Sequence, residues 1–307
     1  MNGLIVINKP GGITSHGVVQ EIRRLIPGVK AGHTGTLDPM ASGVLPVCLG
    51  KATRLAEYTN SLPKTYCAGI TFGRATETGD ADGEITATSE VPVLKLEKLK
   101  KIALKFTGRI EQMPPAYSAI KYHGKPAYYW ARRGKNIPLR SRTVEIYELK
   151  ILSINQLEPP HLTVEVCCSA GAYIRSLAVD IGLELKTCAH LSSLKRLAAG
   201  GFSLAEARSL EETALLAEQK DFDRLLLPMD RAVEHLKAVR LNPEQITDLQ
   251  HGRLVRMGKK EFTEIAAGGL PVRIYDRDGN FKAVASFVDN DAGDDTVILK
   301  TEKFFSL

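Results

Sequence analysis

Cysteine is scarce in this chain: five in 307 residues, an odd number, with no CxxC pair. That excludes a fully paired disulfide framework and offers no zinc-ligand spacing, so Cys48, Cys67, Cys167, Cys168 and Cys188 are expected to be reduced, buried small hydrophobes. No apolar run approaches the length of a membrane span. The start, MNGLIVINKPGG, has no basic leader or cleavage region, and a cytoplasmic protein away from membranes is expected. A phosphate loop is also lacking. Six residues separate Gly43 from Gly50, and Ala52 follows Lys51 where a serine or threonine is required. No second histidine stands at metal-binding spacing from His33, and His33 with Asp38 lacks a third ligand, so neither metal nor cofactor is expected. Internal repeats and low-complexity tracts are absent. What remains is a folded chain, 44% hydrophobic and large enough for about two domains. Its formal net charge of +6 favours an anionic partner, although moderate excess charge alone indicates little beyond solubility.

Two local absences are more informative. From Gly35 to Gly50 the only ionisable acid or base is Asp38, set among glycines and followed by Pro39 and the apolar run Val44 to Leu49, a candidate buried strand. An aspartate before proline often merely closes a turn; a lone carboxylate in an otherwise uncharged, backbone-permissive loop also suits a reactive group. From Met113 to Thr143 there is no acid. There Lys121, Lys125, Arg132, Arg133, Lys135, Arg140 and Arg142 interleave with Tyr117, Tyr122, Tyr128, Tyr129 and Trp130. Cations hold phosphates and rings accept bases, so this stretch is a candidate nucleic-acid surface, the alternative being a solvated basic face.

The hydrophobic pattern indicates a mixed α/β protein. Leu4 to Ile7 reads as a strand, and Ser15 can cap a helix bearing Val18, Val19, Ile22, Leu25 and Ile26, stopped by Pro27-Gly28. Tyr66, Ala68, Ile70 and Phe72 alternate as in a strand, and Leu96, Leu99, Ile102, Ala103 and Phe106 recur as in a helix. Further strands are expected at Val144 to Ile151 and Leu162 to Cys168, followed by a helix from Ile174 to Leu185. A boundary is expected near residue 231. Beyond it come a polar helix around Pro243 to Gln250, a strand at Val272 to Ile274, an Asp278-Gly279 hairpin into Phe281 to Phe287, and a last strand at Val297 to Leu299.

The stretch GHTGTLDPMASGVLPVCLGKATRL resembles the catalytic motif of the TruB-type tRNA pseudouridine synthases. VINKPGGITSHGVV, Lys64 to Tyr66 with TETGDADG, MPPAYSAIK and AGAYIRSLAVDIG resemble that family's other motifs in the same order, over residues 1 to about 230. The resemblance implies a bent central mixed sheet flanked by helices in a catalytic domain (1–230), with residues 113–143 as an insertion over the T stem and loop of tRNA. It further implies a small β-rich RNA-binding domain of the PUA type at 231–307.

It also implies roles. Asp38 would be the nucleophile for isomerising uridine to pseudouridine at position 55, a redox-neutral rearrangement requiring no cofactor. Arg175 would keep Asp38 ionised through two parallel hydrogen bonds, although a helical arginine is otherwise often solvated. Tyr66 would stack on uracil and help move a proton, where the bland reading is a core tyrosine. Tyr173 and Leu194 would contact the flipped nucleotide, and His33 would support the space it vacates. Lys9, with Pro10, would lie beside the site, or only shape a turn. The competing readings are a tRNA-binding folding chaperone without essential catalysis and a synthase guided by a separate RNA. The short C-terminal unit favours the stand-alone kind, expected to be monomeric.

Overall fold

The computed structural model describes residues 1–258, 269–288 and 296–306. Strand β1 (Gly3–Lys9) is almost wholly buried and leads to helix α1 (Ser15–Leu25), whose Val18, Val19 and Ile22 face the core. The helix is capped by Thr14 and not, as the sequence suggested, by Ser15: the Thr14 hydroxyl accepts from the Gly17 N–H at 2.9 Å. Two adjacent hydroxyl residues make the cap ambiguous to reading, and Ser15 is occupied elsewhere. Strands β2 (Ala31–His33) and β3 (Ser42–Leu49) follow, the latter buried as a strand covered on both faces must be. Through the short helix α2 (Ala56–Asn60) the chain reaches β4 (Lys64–Phe72), where Tyr66, Ala68, Ile70 and Phe72 are buried in the expected alternation.

A small hairpin, β5 (Arg74–Thr76) with β6 (Ile85–Thr88), carries the next loop. Helix α3 (Leu96–Lys105) buries Leu99, Ile102 and Ala103 but leaves Leu96 exposed, so its apolar stripe begins one turn later than the spacing implied. Strand β7 (Gly108–Gln112) precedes the acid-free stretch. That stretch folds as the short pair β8 (Lys121–Tyr122) and β9 (Lys125–Pro126), with helix α4 (Ala127–Ala131) after it. Then come a long bulged strand β10 (Arg142–Asn155), β11 (His161–Cys168), helix α5 (Ile174–Leu185), β12 (Ala189–Ala199) and β13 (Phe202–Ser203). Helices α6 (Leu210–Glu218) and α7 (Phe222–Leu225) close this part.

The main sheet runs β1-β3-β12-β4-β11-β10-β7, with β2 joined to β3 and β13 to β12. Every neighbouring pair is antiparallel except β3 and β12, so the sheet is mixed with one parallel seam. At that seam Gly43 lies opposite Arg196 with φ +103°, and a Cβ there would fall 2.2 Å from the Arg196 carbonyl oxygen. Only glycine fits. Helices cover both faces: α3 and α5 pack with Tyr66, Ile70 and Val164 on one, α1 and α6 with Ile5, Ile7 and Leu45 on the other.

The remaining residues build a second sheet from β14 (Lys237–Arg240), β15 (Val255–Gly258), β16 (Val272–Tyr275), β17 (Phe281–Val288) and β18 (Thr296–Phe304), with helix α8 (Pro243–Gln250) against it. Gly279 takes φ +84° between β16 and β17, the role Asp278-Gly279 indicated. Phe281, Val284 and Phe305 share one buried cluster with Leu4, Val44, Leu55 and Phe202 of the first unit. All five cysteines are free thiols. Cys48 and Cys168 are buried, whereas Cys67 and Cys167 are partly exposed because strand alternation turns them off the core faces, and Cys188 is partly exposed in the turn before β12. Among the described residues no helix is long and apolar enough to cross a membrane.

Candidate active site

The loop between β2 and β3 carries Asp38, and its backbone is held at successive residues. Thr34 N–H donates to Pro46 O at 3.0 Å. Arg196, itself 1% exposed, donates from Nη2 to Gly35 O at 3.1 Å, from Nη1 to Thr36 O at 3.4 Å and from Nε to Val44 O at 2.7 Å. Ser15 Oγ bonds both backbone groups of Leu37. Ala41 N–H donates to Asp38 O at 3.1 Å, and Gly12 N–H to Pro39 O at 2.8 Å. Lys9 completes the set, its Nζ donating to Pro10 O, Ile13 O and Pro39 O at 2.9, 2.6 and 3.1 Å. Such a loop has little freedom left to re-aim its carboxylate.

Arg175 enters from the first turn of α5 and meets that carboxylate. Its Nη2 donates to Asp38 Oδ1 at 3.0 Å, and Nε lies 3.0 Å from Oδ2 as an ion-pair contact without hydrogen-bond alignment. The expected pair is therefore present, with one hydrogen bond and one charge contact in place of two parallel bonds. The guanidinium is shared further: Nη1 lies 3.4 Å from Asp80 Oδ2 and donates to Thr78 O, while Nη2 also donates to Tyr117 O at 2.9 Å. One buried cation thus ties together the loops carrying Asp38, Asp80 and Tyr117. Burial raises the Asp38 pKa above the ordinary carboxylate range; Arg175 opposes this and Asp80 adds to it.

Asp38 opens into a cavity of about 1090 Å³ whose wall includes His33, Tyr66, Tyr173, Arg175 and Leu194. Tyr66 on β4 stands opposite Arg196 on β12 in the strand register, and the charge of that guanidinium acts to lower the phenol pKa. Burial nevertheless raises the Tyr66 pKa, so the ring is present as a neutral phenol. Tyr173 precedes α5, its backbone N–H and carbonyl both bonded to the Gln112 side chain. His33 Nδ1 accepts from Gly35 N–H at 3.3 Å. Burial, with Arg196 and His16 nearby, lowers its pKa, which leaves an uncharged ring on the wall.

Lys9 takes the second of its two expected parts and shapes the turn. It is 0% exposed and does not line the cavity; all three ammonium protons are spent on carbonyls, and burial lowers its pKa to about 8. It supports the Asp38 loop from behind. The seven cations of the acid-free stretch (Lys121, Lys125, Arg132, Arg133, Lys135, Arg140 and Arg142) lie at the surface, and Arg132 with Tyr128 reaches the cavity mouth. Its rings are already engaged: Arg133 lies 3.6 Å from the Tyr129 centroid, and Tyr122 and Tyr129 meet Trp130 edge to face. Among the described residues, no group of three or more His, Cys, Asp and Glu side chains could hold a metal ion.

Residues 23–174 match the TruB family pseudouridylate synthase N-terminal domain, and residues 175–234 the tRNA pseudouridylate synthase B C-terminal domain. Curated proteins agree. The chain is 39% identical to tRNA pseudouridine synthase B of Neisseria meningitidis, over 94% of this chain and 90% of that one. With the Geobacillus kaustophilus protein of the same name it shares 44% identity, over 84% and 92%. The chain belongs to the TruB pseudouridylate synthase family. Among solved structures, a Cbf5-Nop10-Gar1 complex aligns at TM-score 0.75 and 28% identity, covering 99% of this chain and 85% of that one. An H/ACA RNP bound to a substrate RNA containing 2'-deoxyuridine aligns at TM-score 0.73 and 26% identity, with the same coverages.

Within this TruB chain, sequence reasoning passed over Asp80, Arg196 and Ser15. Asp80 stands inside the quoted TETGDADG, so its signal was in view without an assigned role. Arg196 offered only the oddity of an arginine amid strand-like apolar residues, and Ser15 was drawn to the commoner task of capping.

Proposed function

We propose that this chain isomerises uridine to pseudouridine at position 55 in the T loop of tRNA, with Asp38 as nucleophile. The observation that carries the reading is one carboxylate, paired to a buried arginine, at the wall of a cavity lined by Tyr66, Tyr173 and Leu194. The reaction breaks the bond from ribose C1′ to uracil N1 and rejoins the base through C5; N1 gains a proton and C5 loses one. Asp38 attacks the anomeric carbon or stabilises its positive character, as carboxylates do in glycoside hydrolysis. Arg175 keeps it ionised. Tyr66 stacks on the base, Tyr173 and Leu194 restrain it while it turns, and uncharged His33 supports the RNA at the opened position.

Affinity comes from the cations of 113–143, which lie outside the reacting set, and from residues 231–307 as a PUA-like RNA-binding unit beside the catalytic domain of residues 1–230. The protein acts as a cytoplasmic monomer without cofactor or guide. Its greater identity to the curated tRNA enzymes than to the Cbf5 chains favours a stand-alone enzyme. Incubation with unmodified tRNA followed by pseudouridine mapping tests the proposal. Modification at position 55 is expected with this chain and none with Asp38→Asn, while Asp38→Asn retains tRNA binding; turnover by that variant would refute the nucleophile.

A further inference from the structure

Ser15 is the first residue of α1 and 2% exposed, yet its hydroxyl serves neither its own helix, which Thr14 caps, nor solvent. Oγ donates to Leu37 O at 3.0 Å and accepts from Leu37 N–H at 2.8 Å. One small side chain thus satisfies both backbone groups of the residue directly before Asp38. The Leu37 side chain is buried in the same cluster as Tyr66, Leu177 and Leu194. With Leu37 held at three points, the peptide plane entering Asp38 is set, and the Asp38 carbonyl is fixed in turn by Ala41.

Resting on the reading of Asp38 as nucleophile, we infer that Ser15 is a positioning residue for the reaction: it acts through Leu37 to aim the carboxylate, and it touches no substrate. Arg196 holds the loop at Gly35 and Thr36 and Lys9 holds it one residue after Asp38, and between these clamps Ser15 supplies the hydrogen bonds to the Leu37 backbone. Without the hydroxyl, two buried backbone groups lose their partner and the loop relaxes to find others. A displacement of about 1 Å at the reacting atom costs on the order of 10² in rate.

Single-turnover kinetics on a T stem-loop RNA at saturating enzyme provide the test. Ser15→Ala lowers the rate by about 10- to 100-fold with RNA affinity within about two-fold of normal. Ser15→Cys, which fills the space with a weaker donor, is slow as well, and Ser15→Thr, which keeps the hydroxyl, recovers most of the rate. Asn242→Ala removes the cap of α8, which packs on the second sheet. It lowers the melting temperature with the rate unchanged, separating lost stability from lost aim. A normal rate in Ser15→Ala or Ser15→Cys, or a loss matched by an equal loss of affinity, overturns the inference. Turnover by Asp38→Asn overturns the reading beneath it, whatever Ser15 does.

Discussion

In the proposed reaction a carboxylate that attacks carbon must be ionised inside a wall that opposes ionisation. Arg175 answers this at Asp38 with a charge 6% exposed and held in place by Asp80, Thr78 and Tyr117. Lysine in its place supplies charge without the planar fork that reaches all three loops, so Arg175→Lys is expected to lose at least about 10-fold in single-turnover rate. A normal rate would show that charge alone suffices. Burial leaves the Asp38 pKa raised despite Arg175. With Asp38 as the proposed nucleophile the reactive form is the anion, so activity is expected to fall as pH drops through that raised value. The acid limb of the pH–rate profile is therefore expected above about 3.9, where an unperturbed aspartate titrates. A limb at or below that pH would place the essential ionisation elsewhere. Burial also pushes the Cys48 and Cys168 thiols up to about 12, so neither is expected to react with a thiol reagent near pH 8 until the protein unfolds.

At the scale of elements, the short β8, β9 and α4 pack mostly on one another, through rings capped by Arg132, Arg133 and Lys135. Neutralising those three together should weaken tRNA binding and flatten its salt dependence by about 0.7–0.9 in log–log slope for each phosphate no longer neutralised. The rate at saturating RNA should largely recover, and an unchanged slope would identify a solvated face. Local pattern made most elements legible: alternation along β4, the apolar run of β3, the helical stripe of α5, and the Asp-Gly turn after β16. Asp38, Tyr66, Tyr173, Arg175 and Leu194 were legible through motif order and do converge on one cavity. Position across the fold was not legible. Ser15 bonds a residue 22 positions away and Arg196 carbonyls 152 to 161 away, and no window of sequence records such pairings. Which of its two roles Lys9 takes was not legible for the same reason, since its three carbonyls surround it only after the loops fold.

At the scale of the molecule, the two sheets share a core. Phe305 is 0% exposed, stacked on Phe281 at 5.4 Å, and clustered with Leu4, Val44 and Phe202 of the catalytic part. Phe305→Ala should lower stability by about 3–5 kcal/mol. Calorimetry should still record one transition, because the cavity opens between units that stabilise each other; two separated transitions would mean independent folding. The order of strands has a different outcome. β12, residues 189–199, lies between β3 and β4, which are complete by residue 72. On a ribosome adding about 5–20 residues per second, Arg196 emerges on the order of 10 s after the Gly35 carbonyl it grips. Until β12 emerges, the edges of β3 and β4 that it will pair stay open, and Asp38 has no site around it. The nascent chain cannot act on passing RNA, and the open edges are what a chaperone would hold.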